Sequence, residues 1–117
     1  MIVSITSHAS DVARLPASAL TRGVLRLAFV DAIVPPAPGV PVFTEADARA
    51  IWALLDASPD AERLVVHCDA GISRSPAVAA AVLRARGESD AEWFARARPN
   101  ELVYRTMLAV REAPRER

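Results

Sequence analysis

The stretch Val65-Val66-His67-Cys68-Asp69-Ala70-Gly71-Ile72-Ser73-Arg74-Ser75-Pro76 constrains this chain more than any other. An apolar, β-branched run stops at the chain's one cysteine, passes through a glycine to a Ser-Arg-Ser triplet, and enters an alanine-rich segment of helical character. That order of residue types predicts a strand, a tight loop and a helix start. Such a loop turns successive backbone N–H groups inward, and the helix N-terminus adds its free donors and the positive end of its dipole. Gly71 permits close backbone approach and positive φ, and Arg74 brings a planar, two-pronged donor. The stretch is suited to an oxyanion, with Cys68 at the floor of the bowl.

The rest of the chain is patterned to support this unit. Ile2 to Ile5 predicts a short buried strand, Ser10 to Leu15 a brief helical turn before Pro16, and Leu25 to Val30 a second strand that delivers Asp31 at its C-terminal end. Sites in open α/β sheets form at that end of the strands. Pro35-Pro36-Ala37-Pro38-Gly39-Val40-Pro41 predicts a stiff extended loop, a connector first and a flap beside the site second. Thr44 to Asp47 fits a capping box, and Ala48, Ile51, Trp52 and Leu55 recur on one helical face, which marks them as core.

Arg63 to His67 is the strand that feeds the loop. Pro76 suits the first turn of the next helix and Gly87 its C-terminal cap. Ser89 to Glu92 predicts a capping box for a helix carrying Trp93 and Phe94, which Pro99 stops. Asn100 can cap a last helix with Val103, Met107 and Val110 on one face, and the tail from Glu112 is charged. The fold class expected is α/β, a small, mostly parallel central sheet flanked by helices, with the Cys68 loop between a central strand and a helix.

Composition narrows the function classes. With 117 residues, 52% of them hydrophobic and 24% charged, the chain predicts one globular domain over residues 1–117. Its 14 basic residues, all arginine, balance 14 acidic ones, so no electrostatic pull toward nucleic acid or an anionic membrane is expected. A single cysteine excludes an internal disulfide and fits a reducing compartment. The apolar start Met1 to Ile5 is too short for a signal-peptide core, and no apolar run is long enough to span a membrane, so a cytoplasmic protein is expected.

Cys68 through Arg74 is C-x5-R, and His67 to Ser75 (His-Cys-Asp-Ala-Gly-Ile-Ser-Arg-Ser) closely resembles the signature of the cysteine-based protein tyrosine phosphatases, in their small dual-specificity branch. The match covers nine contiguous residues, and Arg98-Pro99-Asn100 resembles an element that often precedes the last helix of that branch. The resemblance implies a phosphomonoester hydrolase, a protein tyrosine or dual-specificity phosphatase. In it Cys68 is the nucleophile that forms a thiophosphate intermediate, and the backbone N–H groups of Asp69, Ala70, Gly71, Ile72, Ser73 and Arg74, with the Arg74 guanidinium, hold the phosphate oxygens. Ser75 is the hydroxyl that assists the sulfur, and His67 orders the loop from behind. Asp31, 37 residues before Cys68, matches the family's general acid; Asp47, the competitor, is better explained as a cap. No cofactor and no metal is implied, and the partner expected is a phosphorylated substrate, a phosphoprotein first.

The chain departs from the family pattern in places. No tryptophan-proline pair precedes Asp31, and the region before it is short, which implies a shallow pocket open to phosphoserine and phosphothreonine as well as phosphotyrosine. His8 has no visible partner in the sequence. The alternatives are a rhodanese-like sulfurtransferase or arsenate reductase, which also place a cysteine in an anion loop, and a non-catalytic phosphate-binding adaptor. Ser75 and Asp31 disfavour the first and the lack of resolving cysteines the second, while the intact Cys68, Arg74 and Ser75 disfavour the adaptor. Substrate identity and oligomeric state are not written in the sequence.

Overall fold

The sheet is built around a strand that must be covered on both sides. In a computed structural model describing residues 2–7, 24–57, 65–68 and 73–112, strand β1 (Ile2–Thr6) buries Ile2, Val3, Ser4 and Ile5 in succession rather than alternately. Burial on both faces is the mark of a parallel strand with neighbours on either side. β1 pairs in parallel with β2 (Val24–Ala28), from Ile2 opposite Val24 to Thr6 opposite Ala28. On its other edge it pairs in parallel with β3 (Val65–His67), from Ile2 opposite Val65 to Ser4 opposite His67. The fold is α/β with an all-parallel, three-stranded sheet of order β2-β1-β3 among the described residues. Among the described residues β1 lies between β2 and the cysteine-bearing β3. Order within a sheet is decided by pairing between distant strands, which no local pattern encodes.

The helices follow from capping chemistry and apolar stripes. Helix α1 (Glu45–Ala57) starts at a reciprocal box: the Thr44 N–H donates to Asp47 Oδ2 at 3.0 Å, and the Asp47 N–H donates to Thr44 Oγ1 at 3.2 Å. Its Ala48, Ile51, Trp52 and Leu55 are buried, as their spacing requires. Helix α2 (Arg74–Ala85) buries Ala77, Val78, Ala80, Ala81 and Val82, small side chains that allow close packing against the sheet and helix α4 (Glu101–Glu112). It ends in a Schellman motif, with the Glu88 N–H donating to Leu83 O at 2.9 Å, the Gly87 N–H to Arg84 O at 3.0 Å, and Gly87 at φ 78°. Val103 and Met107 bring α4 into the same core as Val3, Ile5, Phe29 and Val78. α1 is fixed to α4 by Trp52 Nε1, which donates to Met107 O at 2.9 Å, and by Arg111, which stacks 4.6 Å from the Trp52 ring centroid and pairs with Asp56 at 2.9 Å.

Helix α3 (Ala91–Arg96) departs from expectation at its start. It begins one residue later than a Ser89 capping box requires, since Asp90 takes the position before it and Glu92 pairs with Arg96 at 2.7 Å instead of reaching back. Asp90 is held by Tyr104, whose hydroxyl donates to Asp90 Oδ2 at 2.5 Å. The turn expected over Ser10 to Leu15, His8, the first part of the strand expected from Arg63, and the tail beyond Glu112 lie outside the described residues. No described helix is long and apolar enough to cross a membrane.

Candidate functional site

Because the three strands are parallel, their C-terminal ends meet along one edge of the sheet and deliver Ser7, Phe29 and Cys68 there. The chain winds from β1 to β2 on one side and then to β3 on the other, so its winding reverses between β1 and β3. The crevice outside such a reversal is where α/β sheets bind ligands. Cys68 leaves β3 at this crevice and α2 begins beside it.

The Cys68 sulfur is engaged by the first turn of α2. The Ser75 N–H donates to Sγ at 3.4 Å, and the Ser75 hydroxyl oxygen lies 3.3 Å from Sγ in a second hydrogen bond. A first-turn N–H aimed at sulfur adds to the positive end of the helix dipole, and both favour a thiolate over a thiol. Ser75 is buried, so its hydroxyl is held in place by packing.

Arg74 is only 6% exposed, an unusual position for a guanidinium, which stays charged in any protein environment. Its Nη1 donates to Phe29 O at 2.8 Å and to Ser7 Oγ at 3.2 Å. The carbonyl comes from the end of β2 and the hydroxyl from the end of β1, so two strands fix the orientation of the arginine that α2 carries. Ser7 and the Phe29 carbonyl are site groups that the sequence pattern does not announce.

Asp31 stands three residues past β2, on the loop that follows Phe29 and Val30. Its Oδ1 accepts from Ser73 Oγ at 2.8 Å and from Asn100 Nδ2 at 2.8 Å. Asn100 joins three elements at once: Nδ2 also donates to Ala32 O at 3.3 Å, its N–H donates to Ser73 O at 2.9 Å, and its Oδ1 accepts the Val103 N–H at 3.1 Å as the cap of α4. The capping role is legible in the sequence; the grip on Asp31 is not. Ser73, expected only as a loop N–H donor, is also the hydroxyl that connects Asp31 to the start of α2. The consecutive residues Ser73, Arg74 and Ser75 therefore tie Asp31, the two strand ends and Cys68 to the start of α2.

His67 precedes Cys68, and strand alternation puts its side chain on the face opposite Cys68, behind the site. Its Nε2 and the Ser4 hydroxyl, on register-paired residues of β3 and β1, are buried without a hydrogen-bond partner among the described residues. Asp69 to Ile72, the middle of the expected anion loop, lie outside those residues. Among the described residues no cluster of three His, Cys, Asp or Glu side chains has metal-site geometry. A cavity of about 530 Å³ lined by Arg84, Gly87, Glu88, Leu108 and Arg111 opens at the other end of α2, a helix length from Cys68. Asp47, the alternative acid, is occupied in the α1 capping box. A search of protein-family models returns no match to this chain, and no curated protein matches it.

Proposed function

We propose that the chain is a cysteine-dependent phosphomonoester hydrolase of the protein tyrosine or dual-specificity type, acting on a phosphorylated protein. The observation that carries this reading is the Cys68 sulfur held by the N–H and hydroxyl of Ser75 at the start of α2, next to a buried Arg74. A sulfur held that way beside a fixed guanidinium has the charge environment of a nucleophile facing a dianion.

In the first step the Cys68 thiolate attacks phosphorus, the S–P bond forms and the P–O bond to the leaving group breaks. The proton on Asp31 passes to the departing oxygen. Two donors occupy Asp31 Oδ1, so Oδ2 is the oxygen that carries that proton. In the second step water attacks phosphorus, Asp31 takes the proton from the water, and the S–P bond breaks to return the thiolate and inorganic phosphate. Arg74 holds two of the equatorial oxygens throughout, and the Ser75 hydroxyl donates to the sulfur as it leaves. No redox step and no cofactor enters this scheme.

Cys68→Ser tests it. The variant is expected to lose hydrolysis of an aryl phosphate by at least about 10⁴-fold while still binding inorganic phosphate or vanadate, measured by calorimetry. Hydrolysis retained within tenfold of the unmodified protein would exclude Cys68 as nucleophile. A labelled phosphocysteine, trapped from the unmodified protein by rapid quench into alkali, distinguishes the enzyme from a phosphate-binding adaptor.

A further inference from the structure

Ile33 and Val34 are 57% and 66% exposed, two large apolar side chains side by side on the loop that carries Asp31. We propose that they form a ledge selecting phosphorylated polypeptides with an apolar residue beside the phosphorylated one; this rests on the hydrolase reading above. They follow Asp31 by two and three residues, so extended chain dimensions keep them within about 7–11 Å of it. On the hydrolase reading Asp31 protonates the leaving oxygen, so the residues flanking it in the substrate come within reach of these two side chains.

The ledge is held before anything binds. The Val30 N–H donates to Pro41 O at 2.9 Å and closes the base of the loop. Just outside that closure Phe29 and Phe43, both buried, pack edge to face at 5.0 Å between centroids. Asn100 grips the carbonyl of Ala32, the residue before the ledge. At the far end the Val40 N–H donates to Ala37 O at 3.2 Å with Gly39 at φ 80°, while Pro35, Pro36 and Pro38 restrict the backbone between. A surface ordered in advance loses little entropy when a substrate covers it.

Charge decides between a polypeptide and the polyanionic alternatives. From residue 27 to residue 48 the chain has no arginine, lysine or histidine, and it has Asp31, Glu45 and Asp47. An inositol polyphosphate, a nucleic-acid end or an anionic membrane surface gains no cation from this loop, while Glu45 is already paired with Arg49 and Asp47 is held in the cap of α1. A neutral, apolar flank needs no cation and covers Ile33 and Val34.

Two phosphotyrosine peptides differing only in the residues flanking the phosphotyrosine, leucine in one and glutamate in the other, test the proposal. Vesicles bearing a phosphoinositide serve as the third substrate. The unmodified protein is expected to favour the leucine peptide by about tenfold in kcat/KM, the range one apolar contact supplies. The double variant Ile33→Asn, Val34→Asn is expected to bring that ratio to within about twofold of unity. The ratio is unaffected by a general loss of activity, and circular dichroism checks that both proteins are folded. A preference for the glutamate peptide or the vesicles, no preference, or a preference that survives the double substitution overturns the ledge while leaving the hydrolase. Failure of the unmodified protein to hydrolyse these substrates and phenyl phosphate overturns the hydrolase reading and the ledge with it.

Discussion

Asn100 serves the cap of α4 and the contact with Asp31 through different atoms. Its Oδ1 caps α4 at Val103, and its Nδ2 holds Asp31. Asn100→Asp keeps an acceptor for the cap, whereas Asn100→Ala removes both functions. The alanine variant is expected to lose about 1–2 kcal/mol of unfolding free energy in urea titration, and the aspartate variant at least as much, because its second carboxylate oxygen faces the Asp31 carboxylate and the Ala32 carbonyl in a buried position. Both are expected to lower kcat/KM for an aryl phosphate by about tenfold or more, since neither donates to Asp31 Oδ1. An aspartate variant as stable as the unmodified protein would contradict the close contact with Asp31, and undiminished activity in it would separate Asn100 from the proposed chemistry. Asn100 is legible as a cap because its target is three residues away. Its grip on Asp31 spans 69 residues, and the Ser7 contact with Arg74 spans 67, distances over which a sequence pattern carries no signal.

Elements whose ends are set by local chemistry agree with the sequence. Thr44 and Asp47 bond reciprocally at α1, and Gly87 takes the left-handed position after α2 because no side chain opposes it there. Element α3 starts one residue late: Ser89 Oγ still accepts the Ala91 N–H at 3.3 Å, Asp90 is held by the hydroxyl of Tyr104 of α4, and Phe94 packs edge to face on the Tyr104 ring at 5.2 Å. Burial first, and the hydrogen bond and charge of Asp90 next, raise the Tyr104 pKa above its ordinary 10.0. A raised pKa means that folding favours the protonated phenol. Its contribution is complete below pH 10.0 and is lost as pH rises through the folded value. The stability gap between the unmodified protein and Tyr104→Phe is therefore expected to be flat from pH 7 to about 9.5 and to narrow above 10 in urea titrations. A gap that does not change up to pH 11 would contradict this link between α3 and α4.

At the scale of the molecule, the fold class and the helix faces follow from periodicity, while the strand order does not. Val65 to His67 has the apolar character of an inner strand, and pairing alone decides that β1 lies between it and β2 among the described residues. The core is one continuous cluster in which β1, α1, α2 and α4 share contacts, and Met107 lies fully buried within it. Met107→Ala is expected to cost about 2–5 kcal/mol, a large part of the total stability of a domain this size, with a single cooperative transition in urea. Two separate transitions would show that α4 belongs to a different cooperative unit.

The anchoring of Arg74 has a consequence for how the candidate site responds to stress. Nη1 rests on a carbonyl from the end of β2 and a hydroxyl from the end of β1. The guanidinium thus acts as a gauge of alignment between two strand ends: if β2 slips or frays while α1, α2 and α4 keep their shared core, the arginine loses its seat before the helices lose their form. On the hydrolase reading, hydrolysis of an aryl phosphate is then expected to decline through local fraying of β2 below the midpoint of the single global transition that helical content follows.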